Sequence, residues 1–313
     1  MQQRRILGID YNPAHWFVGL LRLIGRSIRR LWGRDVMLYT GGVSFFAMLA
    51  VFPALAISIG VYSLLLTPEQ AAAQADAFSR ILPVNVQVLF QSELMRLAHA
   101  PPRAVSFQSF LAVLIGLYAA HRGIKALIAG LSFIHLEEDE TGAHTFVQIN
   151  VLAFFTLLAA LFMMSVLSAV FLAVRLMAST MHMYPLRGVS WFYSEWTWAM
   201  IGLSLGLTMI YRFAMSTRTV PWAPSIIGGI AAAIISLAAS WASAFYVKQF
   251  AHFGATYGSI AAVVVMLIWL SWTVNSIFFG AALTTEIQQA DLAPYVNWKV
   301  LARFGLGRPI SES

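Results

Sequence analysis

Apolar residues run along this chain in blocks too long for ordinary soluble helices, and polar residues collect between the blocks. A helix rises about 1.5 Å per residue, so roughly 20 apolar residues cross a bilayer core. Six stretches meet that length: about 38–66, 104–134, 146–174, 191–211, 225–247 and 256–287. The pattern predicts an all-α polytopic membrane protein with six transmembrane helices. It divides the chain into a cytoplasmic N-terminus (1–37), a six-span membrane domain (38–287) and a cytoplasmic tail (288–313). The polar stretch 67–103, broken by Pro83 and closed by Pro101 and Pro102, reads as an extracytoplasmic helical hairpin.

The last span is the one the others are expected to receive. No Lys, Arg, Asp or Glu lies between Lys248 and Glu286. Ser271, Asn275, Ala282 and Glu286 fall on one side at helical spacing, with Thr285 close by. A spanning helix turns such a polar or small stripe toward protein, not toward lipid. Other spans carry matching stripes. Thr40, Ser44 and Ala47 share a face in span one, where Pro53 removes a backbone donor and is expected to kink the helix. Gly116, Gly123 and Gly130 recur every seven residues in span two. Gly229, Ala232, Ser236, Ser240 and Ser243 line one face of span five. Small residues at this spacing permit close backbone approach.

Residues 14–33 form an amphipathic helix. Phe17, Leu20, Leu21, Ile24, Ile28 and Leu31 share one face, and Arg22, Arg26, Arg29 and Arg30 share the other. Such a helix before a first span is expected to lie in the cytoplasmic interface. A regulatory arm that binds a partner is the alternative.

Composition sharpens the class. Of 313 residues, 59% are hydrophobic and 11% charged, against about 25% charged in soluble domains. Mean hydropathy is +0.74 and the pI about 9.9. The net charge of +7 would suggest nucleic acid in a soluble protein. Here Arg4, Arg5, Arg22, Arg26, Arg29, Arg30 and Arg34 all precede the first span, where cytoplasmic flanks collect cations and anionic lipid attracts them. Membrane lipids, and no nucleic acid, are therefore the expected partners. The same bias places both termini in the cytoplasm of a bacterial inner-membrane protein.

The chemistry available is narrow. There is no cysteine, so thiolate catalysis and disulfides are excluded. The seven histidines form no metal-ligand spacing such as HExxH, and no Gly-rich phosphate loop occurs. The acidic run Glu137 to Glu140, flanked by His135 and His144, reads as a solvated loop in preference to a cation site. No enzymatic role, no metal and no cofactor are expected. What remains is a short list of polar groups inside the apolar pattern: Arg122, Lys125, Asn275 and Glu286, with Glu195 and Arg212 nearer the edges. About 22 Å of helix separates Phe107 from Arg122, which puts Arg122 and Lys125 near the cytoplasmic interface, where long side chains reach for headgroups. These cations suit an anionic headgroup or solute, and Glu286 is a candidate partner for one of them. Ordinary interfacial charge is the competing reading.

Three stretches carry a resemblance. Tyr39-Thr40-Gly41-Gly42-Val43-Ser44-Phe45-Phe46-Ala47 through Phe52-Pro53 is one. Pro221-Trp222 through Gly228, then Phe245-Tyr246, is the second. Tyr257-Gly258-Ser259-Ile260, Trp269-Leu270, Gly280-Ala281 and Glu286 form the third. Their order and spacing resemble the BrkB/YihY family of bacterial inner-membrane proteins, once labelled ribonuclease BN, over roughly residues 15–290. Arg122-Gly123 and the proline-centred hairpin agree. The chain departs from the family at Ala282 and Thr284, where an acid and an Asn are usual, and at Ser132 and Glu137 to Glu140. The resemblance implies a transporter or an envelope-associated membrane protein with links to lipid handling. The expected function is translocation of a lipid or small solute; a non-catalytic envelope scaffold or regulator is the alternative, and a ribonuclease the least favoured. Oligomerisation stays open.

Overall fold

In a computed structural model of the chain, the described residues are 13–32, 36–65, 107–135, 146–180, 194–216, 219–250 and 259–289. The expected hairpin at 67–103, the acidic loop, the start of the fourth expected span (191–193), Tyr257, Gly258 and the tail beyond 289 lie outside them. Every regular element among the described residues is an α-helix. They are α1 Pro13–Trp32, α2 Val36–Leu65, α3 Phe107–His135, α4 Phe146–Thr180, α5 Glu195–Phe213, α6 Trp222–Phe250 and α7 Ser259–Gln289. Two ends run further than the hydropathy pattern predicts. α4 continues past Arg175 to Thr180, and α6 takes in Lys248, which was expected in a loop.

Four helical stretches are long and apolar enough to cross a membrane: Val113–His135, Phe146–Val174, Trp222–Ser243 and Val263–Gln289. A fifth is counted when the bent pair Leu21–Trp32 and Val36–Val51 is taken as one span. α5 is the short one, 19 residues from Glu195 to Phe213. Helices suit this setting because every interior backbone group is satisfied within the segment.

Hydrocarbon gives little hydrophobic drive for helix association, so shape decides the contacts. Successive helices from α2 to α7 touch in chain order, and α7 packs back on α2. α7 also meets α1, α3 and α5, so the last apolar stretch is the central element. The main core lies where α2, α3, α5, α6 and α7 converge, around Leu131, Tyr211, Ala232, Phe278 and Ala281. α4 packs most lightly, with 17% of its apolar stretch buried. Phe155, Phe162 and Met164 stand exposed along it.

The small residues mark the crossings. A Cβ on Gly116 would overlap the Pro53 ring, and one on Gly123 would lie 3.3 Å from Phe46 Cβ. A Cβ on Gly130 would lie 2.7 Å from the Phe278 ring and 3.0 Å from Tyr39 Cβ. One on Gly229 would strike the Thr208 hydroxyl and come within 3.0 Å of the Ser204 carbonyl on α5. Two hydroxyls at these crossings donate one turn back, Thr208 to the Ser204 carbonyl and Ser240 to the Ser236 carbonyl. Ser240 also accepts from Trp269 Nε1 of α7 at 2.9 Å. Gly116→Ala is expected to cost about 1–3 kcal/mol, the usual range for overpacking. Gly123→Ala, which needs Phe46 to give by only a few tenths of an ångström, should cost visibly less. Thermal midpoints of the two variants in detergent check the ranking; equal midpoints would show that α2 and α3 do not meet at Pro53 as described.

Candidate functional site

Two polar clusters break the apolar surface, and they sit on different helices. The first is cationic, at the contact of α3 with α4. Lys125 Nζ donates to Asn150 Oδ1 at 2.7 Å and lies 4.2 Å from the Phe146 ring centroid. Asn150 is held in turn, its amide donating to the Phe146 carbonyl at 2.9 Å. His121 Nε2 lies 3.3 Å from the Asn150 carbonyl oxygen. Arg122 is exposed; its Nε donates to Tyr118 Oη at 2.9 Å, and its guanidinium stands 5.3 Å from that ring's centroid. No carboxylate among the described residues pairs with either cation. Glu195 and Glu286 are the only acids among those residues.

The depth of this cluster follows from the helix ends. The apolar stretch of α4 begins at Phe146, beside Lys125, whereas α3 continues to His135. Ten further residues of α3 correspond to about 15 Å. The cations therefore lie in a step, level with the start of α4 and below the end of α3. They are three residues apart on one helix, a spacing at which like charges repel.

The second cluster is acidic at its centre. Glu286 is buried, with 5% of its side chain exposed, and two arginines of α1 close on it. Arg30 Nε donates to Oε1 at 2.8 Å, and Arg26 Nε lies 2.7 Å from Oε2. The Arg26 contact is an ion pair without hydrogen-bond alignment, since Oε2 accepts no hydrogen bond. Arg30 also donates to the Ile134 carbonyl at 3.2 Å and to Gln289 Oε1. His135 Nδ1 approaches Thr285 Oγ1 at 3.2 Å beside it.

Glu286 therefore pairs with α1, not with Arg122 or Lys125 as its position on span six had suggested. The physical reason is rotation about α7. Glu286 follows Asn275 and Ser271 on the outward side of the helix, and α1 lies across that side. α1 is corrected in the same way. Arg30 belongs to its packed edge, with Ser27 buried and Leu31 against the core, while Leu21 and Ile28 of the apolar face are exposed.

Asn275 lies about 16 Å along α7 from Glu286. Its Oδ1 accepts from the Thr40 hydroxyl at 3.2 Å, and its amide donates to the Ser271 carbonyl at 2.9 Å. Ser271 in turn meets Ser44 at 3.4 Å. The stripe thus faces α2 at Ser271 and α1 at Glu286, but Asn275 itself is exposed. Arg122, Lys125, Asn275 and Glu286 do not gather in one place: Arg122 and Lys125 meet α3 and α4 groups, Asn275 meets α2, and Glu286 meets α1. The pairing of Arg26 and Arg30 with Glu286 is not visible from periodicity, which puts both arginines on the polar face of an interfacial helix. The signal was the isolation of Glu286, a lone acid at the end of an apolar span that needs a cation from elsewhere.

Near the α5–α6 turn, Arg212 is a structural clasp. Its Nη1 donates to the Val220 carbonyl at 2.7 Å, Val220 N–H donates back to the Arg212 carbonyl at 3.1 Å, and the guanidinium lies 4.1 Å from the Trp222 ring centroid.

Comparison with known proteins gives the same class. A UPF0761 membrane protein of Alcanivorax borkumensis is 37% identical over 70 residues, covering 22% of this chain and 16% of that protein. A UPF0761 membrane protein of Paraburkholderia xenovorans is 35% identical over 78 residues, 23% of this chain and 18% of that protein. The matched stretches thus span less than a fifth of either relative. No solved structure matches the chain. The model of the family described as Virulence factor BrkB matches residues 27–302, and with nearly the whole helical bundle inside that match, the chain belongs to the BrkB family of membrane proteins.

Proposed function

We propose that this protein is a six-span protein of the bacterial inner membrane, with both termini cytoplasmic, that binds an anionic lipid headgroup or small anionic solute and moves it across the bilayer without enzymatic chemistry. One observation carries the reading: Arg122 and Lys125 stand together at the α3–α4 step with no carboxylate beside them among the described residues. Two like charges in a low-dielectric margin favour an anion between them. Arg122 keeps its terminal guanidinium nitrogens for a phosphate or carboxylate, which a planar guanidinium engages through paired hydrogen bonds. Lys125 is steered by Asn150 and supplies a point charge. The lightly packed α4 offers a lipid-accessible flank along which an acyl chain can follow its headgroup. Glu286, tied to α1, has no part in the binding step.

The test is reconstitution into liposomes, with scrambling of fluorescent anionic lipid and flux of radiolabelled anions measured in parallel. Arg122→Ala and Lys125→Ala are each expected to lower movement about ten- to a hundredfold, as loss of one charge-assisted contact of about 1.5–3 kcal/mol implies. Retained movement in both variants, or none of any probe by the wild type, would reject the reading. Reporter fusions in the 67–103 and 136–145 segments test the orientation.

A non-transporting scaffold is the second reading. It is favoured by the exposed apolar edge of α1, Leu21, Ile28 and Trp32, which suits docking at a membrane surface.

A further inference from the structure

α1 divides into three edges when its residues are placed around the helix. Ser27, Arg30 and Leu31 face the bundle. Leu21, Ile28 and Trp32, 52%, 41% and 87% exposed, form an apolar edge on one free side. Arg22, Arg26 and Arg29, all exposed, form a cationic edge on the other. Spacings of four and three residues put these arginines on one ridge. An apolar edge beside a cationic one is the surface a helix presents when it lies in the headgroup layer.

Among the described residues the cationic edge has almost no counter-charge. Arg22 and Arg29 have no acidic partner among the described residues, and Glu286 is the one acid that α1 meets there. Arg30 holds Glu286 with an aligned hydrogen bond and is 13% exposed. Arg26 touches the same carboxylate off alignment, and 59% of its side chain is open. Arg30 is the fixed partner, and Arg26 the exchangeable one.

We propose that Arg22, Arg26 and Arg29 form a docking edge for the phosphates of anionic phospholipids, and that Arg26 divides its charge between those phosphates and Glu286. The seat of α1 on α7 then responds to the anionic lipid content of the membrane. Charge complementarity selects the occupant: an anionic membrane surface attracts a juxtamembrane cationic ridge, and the adjacent Leu21, Ile28 and Trp32 give it a hydrocarbon foothold. This edge is on α1, separate from the α3–α4 step, and stands whether or not the protein moves a cargo.

The absence of cysteine makes the test direct. Ile28→Cys in the full-length protein carries an environment-sensitive fluorophore, in nanodiscs of phosphatidylcholine alone or of an equal mixture with phosphatidylglycerol. The mixture is expected to shift the emission to the blue and raise quenching by brominated acyl chains severalfold. Arg22→Gln, Arg26→Gln and Arg29→Gln together should abolish the shift, and the three lysine replacements should keep most of it, since an anionic surface reads charge. Glu286→Gln, which frees Arg26, should move the half-maximal response to a lower phosphatidylglycerol share. Equal emission in the two lipids, or a shift that survives the triple glutamine variant, would overturn the lipid edge. An unchanged midpoint in Glu286→Gln would overturn the sharing of Arg26. Inorganic phosphate added to phosphatidylcholine discs should do nothing; if it reproduces the shift, the ridge is a free-anion site and the lipid assignment falls.

Discussion

Replacing Glu286 by alanine is expected to release α1 from the bundle while leaving the other helices folded. The carboxylate is nearly sealed, and Arg30, its aligned partner, is 13% exposed. Removing one partner of a buried pair costs 3–5 kcal/mol because the other charge stays behind uncompensated. Arg26 adds little, since an exposed ion pair is worth about 0–1 kcal/mol, and Arg30 keeps the Ile134 carbonyl and Gln289. The low end of the range, about 3 kcal/mol, is therefore expected. It should appear locally, because α1 touches the bundle mainly through α7. At 1.4 kcal/mol per factor of ten, amide exchange in α1 should rise about a hundredfold, with exchange in α6 and α7 nearly unchanged. Trypsin should then cut at Arg22, Arg26 and Arg29 under conditions that spare the wild type. Glu286→Gln keeps an acceptor for Arg30 and should show a smaller effect. Unchanged exchange across α1 in both variants would mean that the helix is held by something other than this carboxylate.

That pairing shows where a sequence stops being readable. Apolar length locates helices because the bilayer fixes how many residues a span needs. α2, α3, α4, α6 and α7 were therefore legible, and so were the crossings at Gly116, Gly130 and Gly229, since small residues leave few other ways to bring backbones together. Rotation of a helix is less legible. Ser271, Asn275, Ala282 and Glu286 share one side of α7, but which neighbour covers each depends on where α1 and α2 lie. Asn275 is the sharpest case: it bonds Thr40 and Ser271 yet remains exposed. Arg30 was hidden for a related reason. Amphipathic periodicity separates α1 into two faces, whereas its residues take three settings: an exposed apolar edge, an exposed cationic edge and the end of α7.

The candidate site was half legible. Arg122 and Lys125 stood out because charge inside an apolar run is costly and therefore carries information. Their partners did not, because Asn150 and Tyr118 are ordinary residues until α4 is placed beside α3. Ala282 and Thr284 also acquire a physical setting. Ala282 and Thr284 are fully buried, and Thr284 donates to the Gly280 carbonyl at 2.8 Å. At Thr284 the hydroxyl already nests against Gly228, where a Cβ on that glycine would collide with it. Asparagine there would need space that the α6–α7 contact does not leave.

A contact one turn along α7 supports the other large prediction. A Cβ on Gly280 would lie 2.6 Å from Ala232 Cβ, 2.6 Å from Tyr211 Oη and 2.7 Å from the Gly228 carbonyl oxygen. None of these atoms can swing away. Ala232 has no torsion to change, Gly228 contributes backbone, and Tyr211 is fixed by its 2.6 Å donation to the Ile277 carbonyl inside the core. Gly280→Ala must therefore push α6 and α5 from α7 together. Overpacking of this kind costs about 1–3 kcal/mol, and a lost buried hydrogen bond about 0.5–1.5 kcal/mol more, so a loss of about 3 kcal/mol is expected. Gly42→Ala is the matched control. Nothing lies within 4 Å of its added Cβ, and alanine in a helix is favoured over glycine by about 0.5–1 kcal/mol. The same substitution should thus lower the thermal midpoint in detergent at position 280 and hold or raise it at position 42. Tyr211→Phe in the Gly280→Ala background should recover part of the loss, because it removes one of the colliding atoms. Equal midpoints for Gly280→Ala and Gly42→Ala would separate α6 from α7 at this level and dissolve the central position given to the last apolar stretch.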